Sequence, residues 1–68
     1  MPYKTVNKND FLTALAAATG ASPSEAANML QQLRDEGDVF VSNERSLLGG
    51  IVTLVSDAVN NMWTQYGV

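Results

Sequence analysis

Gly49-Gly50-Ile51-Val52-Thr53-Leu54-Val55 (residues 49–55) is the stretch that decides the fold class, because it reads either as part of a helix or as one arm of a hairpin. Taken with its surroundings, it belongs to a series of apolar residues: Leu47, Leu48, Ile51, Val52, Leu54, Val55, Ala58, Val59, Met62, Trp63 and Tyr66. At 100° per residue these fill an arc of about 180°, and Thr53, Ser56, Asp57, Asn60, Asn61 and Thr64 share the other half with the two glycines. Alternatively, Gly49-Gly50 close a loop and residues 51–55 pair with Val39-Phe40-Val41, which their β-branched content permits. A strict period of two is missing from Ile-Val-Thr-Leu-Val, whereas the period near 3.6 continues to Trp63. The expectation is therefore a helix over 47–65, although each interior glycine costs about 1 kcal/mol relative to alanine.

Upstream, the local signals are less ambiguous. The spacing of Phe11, Leu12, Leu15, Ala16 and Ala18 predicts a helix over 8–19. Asn7 stands at its N-cap, Asp10 in its first turn, and Val6 and Phe11 at the spacing of a hydrophobic staple, with Gly20 as the stop. Ser22-Pro23-Ser24-Glu25 is a capping box with proline at the first helical position, and it predicts a second helix over 23–36. Ala26, Met29, Leu30 and Leu33 form its inward stripe, and Gly37 occupies the place of a left-handed C-cap. Residues 39–41 are β-prone but too short to stand unpaired. The sum is one small domain over 1–68, all-α or mainly α with a short β element, built from three helices.

The chain has 68 residues with no cysteine and no histidine, which removes disulfides, thiolate chemistry, imidazole bases and the usual zinc sites. Seven acidic residues against four basic ones give a net charge of −3, a balance that repels phosphate backbones and anionic membranes. The longest uncharged run, residues 46–56, is about half the ~20 residues of a membrane-spanning helix, so no membrane partner is expected and a cytoplasmic location is. The core is thin. Burial of about 60% of the unfolded surface supplies about 96 kcal/mol, against an ordering cost of about 100 kcal/mol. A chain so balanced gains from burial against a partner.

The stretch Leu15–Val41, LAAATGASPSEAANMLQQLRDEGDVFV, resembles the helix-turn-helix core of winged-helix proteins through Leu15-Ala16 before the turn, Gly20 in it, Ser22 as cap, and then Ala26, Leu30, Leu33 and Gly37. The resemblance implies two helices leading into a β-wing. It departs from the family in having only a few residues ahead of Asn7, so the C-terminal segment has to take the place of the missing first helix. Residues 6–33 are also similar, more weakly, to the N-terminal helices of the bacterial histone-like HU proteins, without the long β-arms that hold DNA.

No phosphate-cradling glycine loop, nucleophile elbow or calcium-loop spacing occurs, so no catalysis, cofactor or metal is expected. Asp35-Glu36-Gly37-Asp38 reads as a solvated helix end, and secondarily as a dock for a basic partner. The leading expectation is a non-catalytic protein-interaction module, homodimeric or docked on a protein partner. Its regulatory, inhibitory or assembly role would run through the apolar face of Leu48, Ile51, Val52, Val55, Val59, Met62 and Trp63. Small acidic proteins of this build, bacteriophage proteins among them, serve such roles. The alternative, implied by the winged-helix resemblance, is a DNA-binding transcriptional regulator. It would read bases with Ser24, Asn28, Gln31 and Gln32, and hold phosphates with Lys4, Lys8, Arg34 and Arg45.

Overall fold

A computed structural model describes residues 3–47 and 49–67. In chain order its elements are β1 (Lys4–Asn7), α1 (Lys8–Thr19), α2 (Pro23–Glu36), β2 (Val39–Ser42), β3 (Ile51–Leu54) and α3 (Asp57–Tyr66). The three strands form one antiparallel sheet in the order β1-β3-β2. The fold is thus α+β, which corrects the all-α expectation. The helix expected over 47–65 is two elements, β3 and α3, divided at Val55-Ser56. Three observations explain the correction. Gly49 and Gly50 both take positive φ, 84° and 110°, which helical backbone excludes and an L side chain rarely adopts. Inside β3 only Val52 and Leu54 are fully buried, an alternation of period two. Ser56 then restarts the chain as an N-cap, its hydroxyl accepting from the Val59 N–H at 3.3 Å.

Local chemistry sets the other two helices. The Asn7 side chain accepts from the N–H groups of Asn9 and Asp10 at the start of α1, directly at the end of β1. The capping box of α2 is complete: Ser22 Oγ accepts from the Glu25 N–H, and Glu25 Oε1 accepts from the Ser22 N–H. Gly20 and Gly37 close α1 and α2 in the left-handed conformation.

β3 is the central strand, paired with β1 in the register Lys4↔Leu54 to Asn7↔Ile51 and with β2 in the register Val39↔Leu54 to Ser42↔Ile51. Two backbone bonds fix the phase of these ladders. The Lys8 N–H donates to Gly50 O, and the Val55 N–H donates to Asp38 O, both at 3.0 Å. Antiparallel ladders alternate bonded and non-bonded pairs. Val6 and Lys4 are therefore bonded to Val52 and Leu54, and Phe40 and Ser42 to Thr53 and Ile51. The N–H and C=O groups of Val39 and Val41 consequently point away from β3, toward the outer edge of the sheet.

One face of the sheet carries the core. Val39, Val52 and Leu54 meet Phe11, Ala14 and Leu15 of α1, Leu30 of α2, and Val59 and Trp63 of α3, with Val6, Leu12, Met29, Leu33, Val41 and Met62 packed around them. α1 touches α2, α3 and the sheet. The opposite face carries Thr5, Phe40, Ile51 and Thr53. The accessible surface is 4526 Å², somewhat above the roughly 4,200 Å² that size scaling gives.

Glu44, in the β2–β3 loop, joins three segments. One carboxylate oxygen lies 3.4 Å from Lys8 Nζ and the other 3.4 Å from an Arg34 guanidinium nitrogen. The loop is thereby tied to the start of α1 and the last turn of α2.

Two stability measurements check this account. In urea unfolding, Leu54→Ala is expected to cost about 2–5 kcal/mol and Thr53→Ala under about 1 kcal/mol; similar losses at both would contradict the alternation in β3. Glu44→Gln is expected to cost about 0.5–1 kcal/mol at low salt, with the difference from the parent fading near ~0.5 M salt as exposed ion pairs are screened.

Candidate functional site

The residues expected to form an apolar partner face are largely spent within the fold. Val52, Val59 and Trp63 are buried, Met62 packs against the same core, and Ile51 and Val55 are half-buried. Leu48 lies outside the described residues. Because residues 51–55 and 57–66 belong to a strand and a helix with different directions, they do not form one continuous helical face. The apolar width of the sequence is consumed by the two jobs of this segment, filling the sheet's inner face and packing α3 on α1.

The residues expected to contact DNA are arranged differently. Ser24, Asn28, Gln31 and Gln32 all lie exposed on α2. Ser24 and Asn28 sit one turn apart, as do Asn28 with Gln31 and Gln32, so they share one face. The Gln31 amide already donates to Asp35 Oδ1 at 3.3 Å, which places a carboxylate beside the side chain that would read a base. Lys8 and Arg34 are both engaged by Glu44. Lys4, on β1, and Arg45, in the β2–β3 loop, are exposed and make no ion pair among the described residues. These four cations do not converge on α2. They are split between β1, the start of α1, the end of α2 and the loop.

What sequence reasoning missed is the outer side of the sheet. Strand alternation and the register put Phe40, Thr53 and Thr5 in one cross-strand row and Ser42, Ile51 and Asn7 in the next. Continuing the β1–β3 register by one residue brings Tyr3 beside Val55. Phe40 and Tyr3 are 59% and 58% exposed, large values for aromatic side chains in or beside a sheet. β2 is also an outer strand, with β3 its one strand neighbour among the described residues. The signal for this was present in Val39-Phe40-Val41, where a central aromatic alternates with two valines. The alternative pairing of residues 51–55 with Val39-Phe40-Val41 supplies the partner strand, as the β2–β3 ladder shows, and the helix expected over 47–65 set it aside.

The concavities are modest. A cleft of about 260 Å³ between α1 and the start of α2 is lined by Leu12, Thr13, Ala16 and Pro23. Another of about 180 Å³ lies among Leu15, Leu33, Asp38, Ala58, Val59 and Met62. Both fall below the range of roughly 300–1,000 Å³ usual for small-molecule sites. Among the described residues no charged or polar side chain is buried, and no group of three or more acidic side chains is placed to hold a metal ion. No described helix is long and apolar enough to cross a membrane. Compared with protein-family models, with curated proteins and with solved structures, the chain matches none.

Proposed function

We propose that this chain is a non-catalytic protein-interaction module with a regulatory, inhibitory or assembly role, and that it docks through the outer side of its sheet. The observation that carries the reading is Phe40, more than half exposed in the middle of an outer strand. An exposed apolar aromatic anchor suits protein recognition. Docking through the C-terminal apolar residues is not retained, because Val52, Val59 and Trp63 are buried.

A winged-helix-like DNA-binding regulator is the second reading. It is supported by the element order β1-α1-α2-β2-β3 with sheet order β1-β3-β2, and by the exposed row of Ser24, Asn28, Gln31 and Gln32 on α2. Charge weighs against it. With Lys8 and Arg34 held by Glu44, two cations remain for phosphates, and seven acidic residues oppose them. Two phosphate contacts give a salt slope of only about −2, far from the 6–10 contacts of firm DNA binders.

Site-specific photo-crosslinking in the native cells separates the readings. A photoreactive phenylalanine analogue in place of Phe40 is expected to give protein adducts, and the same group in place of Asn28 to give none. Nucleic-acid adducts at position 28, with a salt-sensitive duplex complex of the purified chain that Asn28→Ala and Gln31→Ala abolish, would overturn the interaction-module reading in favour of the second.

A further inference from the structure

We infer that a basic amphipathic helix of a partner protein docks on the helical side of this chain. It sets one large apolar side chain in the cleft between α2 and α3, and its lysine or arginine residues against Glu36, Asp38 and Asp57. The inference goes beyond the reading that rests on Phe40, because the two surfaces lie on opposite sides of the sheet and neither needs the other.

Helix packing creates the cleft. α1 packs on both α2 and α3, and between these two neighbours the surface dips to Leu15 and Val59, both buried. Leu33 and Met62 stand half-buried on its walls, and Ala58 is exposed at its mouth. Its volume is about 180 Å³. That is small for a metabolite site, yet a cavity of roughly 150 Å³ admits a benzene ring. One phenylalanine or leucine side chain matches it in size. The walls are helices, whose interior N–H and C=O groups are bonded within the helix. A segment lying in the cleft therefore has to satisfy its own backbone, which selects a helix over a strand.

Charge selects the sign of the partner. Asp38 lines the cleft, and its backbone fixes its place. Asp38 O accepts from the Val55 N–H at 3.0 Å and the Ser56 N–H at 3.2 Å, joining the start of β2 to the start of α3. Asp57 is exposed next to Ala58. Glu36, also exposed, stands three residues after Leu33 and shares its face of α2. None of the three makes an ion pair among the described residues, and Arg34, beside Leu33 in sequence, is held by Glu44 at 3.4 Å. Nor are they grouped closely enough to hold a metal ion. What complements them is positive charge spread over separate side chains. Such a rim steers and orients a basic partner, while the apolar cleft takes its anchor.

The test is an NMR titration of the isotope-labelled full chain with a synthetic alanine-rich helical peptide that carries one phenylalanine and an arginine one turn to either side of it. Amide shifts are expected at Leu33, Asp38, Ala58 and Met62 and not at Phe40 or Thr53. The affinity should fall at least about tenfold between ~20 mM and ~0.5 M salt. A peptide with alanine in place of its phenylalanine should bind at least about tenfold more weakly. Ala58→Arg, which blocks the mouth with a like charge, should abolish binding. Asp38→Asn should weaken it about threefold or more, whereas Asp10→Asn, equal in charge but outside the cleft lining, should change it less than about twofold. Urea unfolding confirms that each variant remains folded. No shifts with up to about 1 mM peptide overturn the inference. Shifts centred on Phe40 do the same, as does binding that survives Ala58→Arg in a folded chain or equal binding of the peptide without phenylalanine. Shifts at the cleft residues that grow with protein concentration in the absence of peptide make the occupant a second copy and overturn the partner helix. Failure here leaves the crosslinking expected at position 40 unchanged, and failure of that crosslinking leaves this binding unchanged.

Discussion

The packing of this chain depends on the double hydrogen bonding of β3. Four residues, Ile51–Leu54, supply a neighbour to both β1 and β2, while Val52 and Leu54 form the floor on which the helices rest. Gly49 and Gly50 deliver the chain into that strand at φ values open to glycine. A Cβ on Gly50 would stand 3.2 Å from Ser42 O and 3.3 Å from Glu44 Cα. The ends of the strand are pinned as well, by the Lys8 N–H on Gly50 O and by the Val55 and Ser56 N–H groups on Asp38 O. Because Asn7 both ends β1 and caps α1, the position of β3 also sets where α1 begins and how it lies over the core.

Legibility in the sequence followed locality. Asn7, Gly20, the Ser22–Glu25 box and Gly37 act within four residues of themselves, and the helices they bound, Lys8–Thr19 and Pro23–Glu36, could be read from them. β1 could not. Lys4–Asn7 becomes a strand only by pairing with residues more than forty positions away, and nothing in four residues announces that. The stretch 47–65 misled because strand and helix happen to continue in phase: Val52 and Leu54 by twos, then Val59 and Trp63 one turn apart, fall on one arc of a helical projection. Ser56-Asp57 was the readable correction, an N-cap with an acidic first turn. The two positive-φ glycines were the other, and helix propensity had already counted against them.

The same shift explains the candidate surface. With 51–55 in a strand, the apolar residues that looked like surplus helix width became the inner face of a sheet, and Phe40, passed over as part of a short β-prone run, became the exposed aromatic of an outer strand. The polar face of α2 was legible, since Asn28, Gln31 and Gln32 follow directly from helical spacing. The fate of the basic residues was not, because Lys8 and Arg34 meet Glu44 only once the β2–β3 loop folds back across the helices. A thin core is the common cause. A chain this small has one layer of helices to cover one face of the sheet, and Phe40 on the other face stays more than half exposed.

Residue-resolved amide hydrogen exchange across protein concentration tests the central claim most directly, that β3 organises the sheet as its doubly bonded central strand. The account predicts protection of Ile51, Val52, Thr53 and Leu54 at every concentration. It predicts protection of Phe40 as well, with Val41, whose N–H points away from β3, exchanging faster. Uniform helical protection running from residue 51 through 66 would contradict the sheet, and protection of Val41 equal to that of Phe40 would contradict the register of β2 on β3.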